Sequence, residues 1–275
     1  MPELPLDRYQ FSPRDGERLE RARNLLQQRC MRDFGFDDFP LEPDTWGKFR
    51  MAETFTSWAW MESPYGRLDL DQARRWGYGF DPERAKAEEA ELMPKGREVT
   101  EREEPVLNGV GAGESGPSVV HGRKVPKGGC SAEAKRRFGA GVGGAEDPSS
   151  YVVLRTAEID KVVARDERVR KAFGDWSRCV EDKGFKGYGS PARAAGDKAW
   201  REGRKDGNTR RTQRELGTAV ADVECNRKLN VAGVWWAVSN EKQREDLRRH
   251  KSRYEAVRKG QDRLRAEVRE VLGAA

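Results

Sequence analysis

The stretch QRCMRDFGFDDF, residues 28–39, recurs 149 residues later as SRCVEDKGFKGY, residues 177–188, and this recurrence constrains the fold more than any other feature of the chain. In each copy Arg-Cys is followed by an apolar residue, an acid, then Gly-Phe and an aromatic. Gly35 and Gly184 fall where a helix C-terminus favours a residue able to adopt the left-handed conformation, and Phe36 and Phe185 can fold back on the last turn, a Schellman-type stop. Ahead of the first copy, Ser12 suits an N-cap and Pro13 the first helical position. Asp15 and Glu17 load the first turn, and Leu19, Ala22, Leu26 and Cys30 then share one face. Ahead of the second copy, a helix is predicted from Thr156 through Ile159, Val162, Val163, Val169, Phe173 and Trp176. Each repeat is thus a helix that ends with a cysteine in its last turns.

The four cysteines are Cys30, Cys130, Cys179 and Cys225, spaced 100, 49 and 46 residues apart. Structural zinc sites bring two ligands from one tight knuckle, so these spacings argue against a metal, and no cofactor motif is present. Of the three possible disulfide connectivities, Cys30–Cys130 with Cys179–Cys225 fits a duplicated plan, each half holding one cysteine of each kind. The alternative is four free, buried thiols in a reducing compartment.

Charged residues make up 36% of the chain and mean hydropathy is −0.94, the profile of a helical protein with much surface. The formal charge of +6 is a small difference between 53 basic and 47 acidic residues, too even to mark a nucleic-acid binder. No apolar run is long enough to span a membrane. The chain begins without a secretory leader, so export is expected only if a leader or lipoprotein signal belongs to the native full-length form.

The predicted organisation is two related halves. The first, 5–150, carries an aromatic insertion at 41–80 and Gly-rich loops at 98–150. The second, 151–275, ends in a long helix over 231–272. The insertion holds Trp46, Trp58, Trp60, Tyr65, Trp76 and Tyr78, with TFTSWAW reading as a short strand and LDQARRWGYG as a helix stopped by Gly77. These aromatics suit either core packing or a ligand groove. In the long helix Trp236, Asn240, Gln243, Leu247, His250, Tyr254, Val257, Gln261, Leu264, Val268 and Val271 keep three-four spacing, a seam for another helix of this chain or for a homodimer.

Several chemical motifs fail on inspection. GAGESGPS, 111–118, has Pro117 where a phosphate-binding loop needs lysine, and GAGVGG, 139–144, opens no βαβ unit. The acids Glu53, Glu62, Asp69 and Asp71 near the insertion keep a glycosidase-like hydrolase as a rival. The basic stretch 201–214 keeps a cytoplasmic nucleic-acid binder as another, though no aromatics interleave with its charges.

The segments YQFSPRDGERLERARNLLQQRCMRDFGF, YGRLDLDQARRWGYG, GGCSAEA, WSRCVEDKGF and AVADVECNRKL, with their paired Cys-(Met/Val)-x3-Gly-Phe motifs, resemble a family of actinobacterial exported proteins, many of them classed as lipoproteins. The resemblance runs from Tyr9 to about Gln243, departs at Val180 where methionine is usual, and carries no diagnostic catalytic residues. It implies export and disulfides, and some members of that family lie beside membrane-transport or envelope genes. The expectation is a mainly α, disulfide-stapled bundle with little or no β. It would be a non-catalytic extracytoplasmic protein of the cell envelope that binds a protein, peptide or wall component, with a role as accessory to a membrane transporter among the expected settings.

Overall fold

Ser12 caps the first helix as its sequence predicts, its hydroxyl accepting the Asp15 N–H at 3.1 Å. The computed structural model describes residues 3–10, 12–39, 63–92, 97–109, 119–138 and 148–273. In chain order the helices among them are α1 (Pro13–Asp33), α2 (Leu70–Trp76), α3 (Pro82–Leu92), α4 (Glu104–Asn108), α5 (Gly129–Arg137), α6 (Pro148–Val163), α7 (Glu167–Asp182), α8 (Pro191–Ala195), α9 (Gln213–Leu229), α10 (Val231–Arg249) and α11 (Lys251–Gly273). The β-structure of the described residues is one short antiparallel pair, β1 (Val119–Val120) with β2 (Arg123–Lys124). The fold is mainly α, as expected. The strand expected at TFTSWAW lies outside the described residues.

Both disulfides are formed, Cys30–Cys130 and Cys179–Cys225, the pairing that a duplicated plan favours. Two compact units are present, and they interleave along the chain. One comprises the described parts of 1–8, 51–90 and 154–250, the other those of 9–50, 91–153 and 251–275. Position 150, where the sequence suggests a division, lies inside α6.

In the unit that holds α1, Leu19 and Ala22 pack with Phe138, Val268 and Val271, and the Cys30–Cys130 bond ties α1 to α5. Burying each larger apolar side chain here stabilises the unit by about 1.5–3 kcal/mol. A second cluster gathers Met31, Phe34, Phe39 and Val106 around Cys130. The seam of α11 is occupied by the chain's own residues: Tyr254 packs on Tyr9 with ring centroids 5.0 Å apart, and the buried Gln261 amide donates to the Tyr9 carbonyl at 2.6 Å. Farther along, Val268 and Val271 meet α1, so this stretch of the predicted seam is filled from within rather than left for a second copy.

In the other unit, α7 turns Val169, Ala172, Phe173, Trp176 and Val180 inward, a helical face that packs on α9 and α10. Phe173 stacks on Trp235 at 6.0 Å, and Cys179–Cys225 joins α7 to α9.

Three local readings are corrected. The helix expected to run unbroken from Thr156 is two helices, because Asp166 accepts the Arg168 N–H and starts α7 afresh. The predicted 231–272 helix is interrupted at His250, which leaves helical geometry (φ −117°, ψ 31°) between α10 and α11. The buried face of α10 runs through Val231, Trp235, Val238, Ser239, Gln243 and Asp246, so Trp236 and Asn240 stand beside that face rather than on it.

Candidate binding cleft

The second copy of the repeat does more than end a helix. Beside the buried face of α7 lies a second stripe, Arg170, Gly174, Ser177 and Glu181, at spacings of four, three and four residues. Opposite it, the chain leaving α7 runs through Gly187, Tyr188, Gly189 and Ser190 into α8. Together with the α6–α7 turn these walls enclose an open cleft of about 670 Å³.

Three arginines line this cleft: Arg165 from the α6–α7 turn, Arg170 from α7 and Arg193 from α8. All three are exposed, and their guanidinium groups make no hydrogen bond or ion pair with any described residue. Neighbouring arginines behave differently, since Arg168 pairs with Asp166 and Glu241, and Arg178 with Asp175. Among the described residues Glu181 is the one acid on the cleft lining, and its carboxylate lies over the Gly187 backbone, where a Cβ would run into it. Planar, always-charged donors that have no partner among the described residues suit carboxylate or phosphate oxygens.

Two aromatic rings complete the lining, and both are held in place. Phe173 is fixed by its stacking on Trp235. Tyr188 donates its hydroxyl to Asp197 at 2.9 Å, while the Lys186 ammonium sits 4.7 Å from the centre of its ring and 3.2 Å from the same carboxylate. Burial, then the bond to Asp197, pushes the Tyr188 phenol above its ordinary range.

Gly174 stands out in the interior of α7. Glycine there costs about 0.5–1 kcal/mol relative to alanine. No crowding demands it, because a Cβ at this position would meet nothing nearer than the Arg178 guanidinium at 3.9 Å. What the missing side chain does is keep the floor of the cleft open.

The described aromatics of the insertion take a different role. Tyr65, Trp76 and Tyr78 are brought together on α9, whose buried polar stripe of Glu215, Asp222 and Asn226 holds the segment's backbone. Glu215 accepts the Tyr78 N–H at 3.1 Å, and the Asn226 amide donates to the Tyr65 carbonyl. Asp222 accepts the Tyr78 hydroxyl at 3.1 Å and the Trp176 indole N–H at 2.9 Å. Tyr78 is 1% exposed and stacks on Trp200, so it packs the core and offers no surface to a ligand. Trp76 carries the Arg211 guanidinium 5.1 Å from its ring centre. Trp46, Trp58 and Trp60 lie outside the described residues, as do Glu53, Glu62, GAGESGPS and GAGVGG.

Of the remaining acids, Asp69 caps α2 by accepting the Gln72 N–H at 2.9 Å, and Asp71 is an exposed partner of Arg74. In the basic stretch, Asp206 pairs with Arg204, and Asn208 exchanges two hydrogen bonds with the Phe80 backbone, which makes this segment an ordered turn. Among the described residues no helix is long and apolar enough to cross a membrane. Sequence reasoning missed the cleft, although one signal was available: Gly174 interrupts an otherwise strong helical pattern without being near either end. Comparison of the chain with protein-family models, curated proteins and solved structures finds no match.

Proposed function

We propose that this chain is a non-catalytic binding protein of the cell envelope, working outside the cytoplasm, and that the cleft beside α7 is its binding surface. The observation that carries this reading is the set of three unpaired guanidinium groups around an open, Gly174-floored cleft. Charges left unpaired in such a concave site are available to a ligand, and those ligands would be anionic. Two disulfides support an oxidising environment, where such bonds persist. Export, with or without a lipid anchor, agrees with the family that the paired cysteine motifs resemble, as does a role as accessory to a transporter.

The test is equilibrium binding of the oxidised chain to envelope-derived material: deproteinised wall polymer, soluble wall peptides and anionic lipid vesicles. The expected result is saturable binding to at least one of these, weakened tenfold or more by the Arg170→Ala/Arg193→Ala double substitution. Absence of binding to all of them, or binding indifferent to the substitution, would contradict the reading.

A further inference from the structure

We infer that the cleft takes a short, extended peptide with free ends, its C-terminal carboxylate on Arg165 and Arg170 and its N-terminal ammonium toward Glu181. This rests on reading the cleft as a binding surface and goes on to name the class of ligand.

The first support is the loop wall. Residues 186–188 are neither helix nor strand, and the backbone N–H and C=O groups of Gly187 and Tyr188 make no hydrogen bond with any described residue. An extended peptide laid along such a wall satisfies these groups by strand-like addition, the backbone bonds giving affinity without demanding particular side chains. A phosphate offers acceptors alone and would leave the carbonyls unpaired.

The second support is the polarity of the cleft. Arg165 precedes α7 and Arg170 lies in its first turns, whereas Glu181 lies in its last turn. Arg170 and Glu181 are eleven residues apart, which is about 16 Å along the helix axis. At about 3.3 Å per extended residue this distance matches four or five residues of peptide. A zwitterion of that length meets opposite charge at both ends. A polyanion threaded through the same cleft would run into the Glu181 carboxylate.

The third support is the floor. With no side chain at Gly174, a peptide backbone can approach α7 between the two charged ends.

The test uses the full oxidised chain, immobilised, and a pool of random tetrapeptides with free termini, with retained members measured by mass spectrometry. The same pool is offered C-terminally amidated and N-acetylated, and glycerol-phosphate polymer and inorganic phosphate serve as competitors. The expected result is saturable retention of the free pool, at least tenfold weaker for the amidated pool and several-fold weaker for the acetylated one. Glu181→Gln should abolish the difference between free and acetylated peptides. Gly174→Leu should lose retention while raising the melting temperature by about 1–2 °C, as a better helix former does at a half-buried position where a Cβ meets no clash. A loss through misfolding would lower that temperature instead.

Equal retention of acid and amide, or retention unchanged by Gly174→Leu, would overturn the proposal. Binding of phosphate polymer with no retention of peptides would overturn it while leaving the cleft as an anion-binding surface. Failure of every probe, together with every envelope fraction, would remove both.

Discussion

Gly35 and Gly184, 149 positions apart, close the same turn with the same hydrogen bonds. Gly35 donates to the Arg32 carbonyl and Gly184 to that of Glu181, both at 2.8 Å, and Phe36 and Phe185 reach back to Met31 and Val180. Their φ angles are +83° and +86°. The surroundings differ: a Cβ on Gly35 would lie 2.6 Å from His121 Nδ1, whereas one on Gly184 would meet nothing within 4 Å.

The two glycines should therefore respond unequally to alanine. Gly184→Ala should cost about 1 kcal/mol, the conformational penalty alone. Gly35→Ala should cost about 2–3 kcal/mol, because His121 must also give up its 2.6 Å bond to the Phe34 carbonyl. Urea unfolding of both variants, of His121→Ala and of Gly35→Ala/His121→Ala checks this. If the double variant showed no relief relative to the sum of its parts, the proposed clash would be wrong.

The disulfides close loops with sequence separations of 100 and 46. In the chain-entropy description the bonds stabilise by about 5 and about 4 kcal/mol respectively. Replacing Cys30 and Cys130 by alanine, or Cys179 and Cys225, should lower thermal stability in each case, with the first pair costing at least as much as the second. Intact mass should rise by four hydrogen atoms, two for each disulfide, about 4 Da in all, when the chain is fully reduced. An unchanged mass would mean that the bonds do not form.

Glu103 is buried with its carboxylate gripped by the Arg97 guanidinium at 2.6 and 2.8 Å and by the Thr100 N–H and hydroxyl, each at 2.8 Å. The Arg97 bond is the largest influence and holds its pKa down, from an ordinary 4.5 to about 2. A carboxylate depressed on folding contributes stability that is fully present above pH 4.5 and is lost as pH falls toward 2. Glu103→Gln should cost about 2 kcal/mol at neutral pH and converge on the wild type in acid. Curves that stayed parallel from pH 7 to pH 2 would exclude this role.

Asp222 is completely buried on α9, between the Tyr78 hydroxyl and the Trp176 indole. Tyr78→Phe should cost about 1–2 kcal/mol, and Asp222→Ala about 2–3 kcal/mol because it strands the Tyr78 hydroxyl and leaves the Trp176 indole only its 3.3 Å bond to the residue 222 carbonyl. Equilibrium denaturation measures both. A neutral Tyr78→Phe would mean that the hydroxyl is not part of the clamp.

The helix ends and cysteine staples were legible in the sequence because each depends on a few adjacent residues: Ser12 as a cap, Gly35 and Gly184 as stops, a cysteine one turn before each. The interleaving of the units was not, since it depends on which distant helices meet. Heptad spacing identified Tyr254, Val257, Gln261, Val268 and Val271 as a buried line, yet nothing local revealed that α1 would cover part of it. The register of α10 was lost to a pair of adjacent tryptophans, of which spacing alone could not select Trp235. Aromatic density drew attention to the insertion, but the polar residues on α9 decide the fate of Tyr78. The cleft stayed hidden because its charges come from three elements, with Arg193 contributed from beyond the turn.

The claim on which the functional account depends is that ligand sits against α7, and amide chemical-shift mapping tests it most directly. Titrating the isotope-labelled, oxidised chain with the tightest tetrapeptide from the pool should move the resonances of Gly174, Ser177, Gly187, Tyr188 and the Arg193 side chain together, with one affinity. Shifts confined to other parts of the chain, or none at saturating peptide, would contradict it.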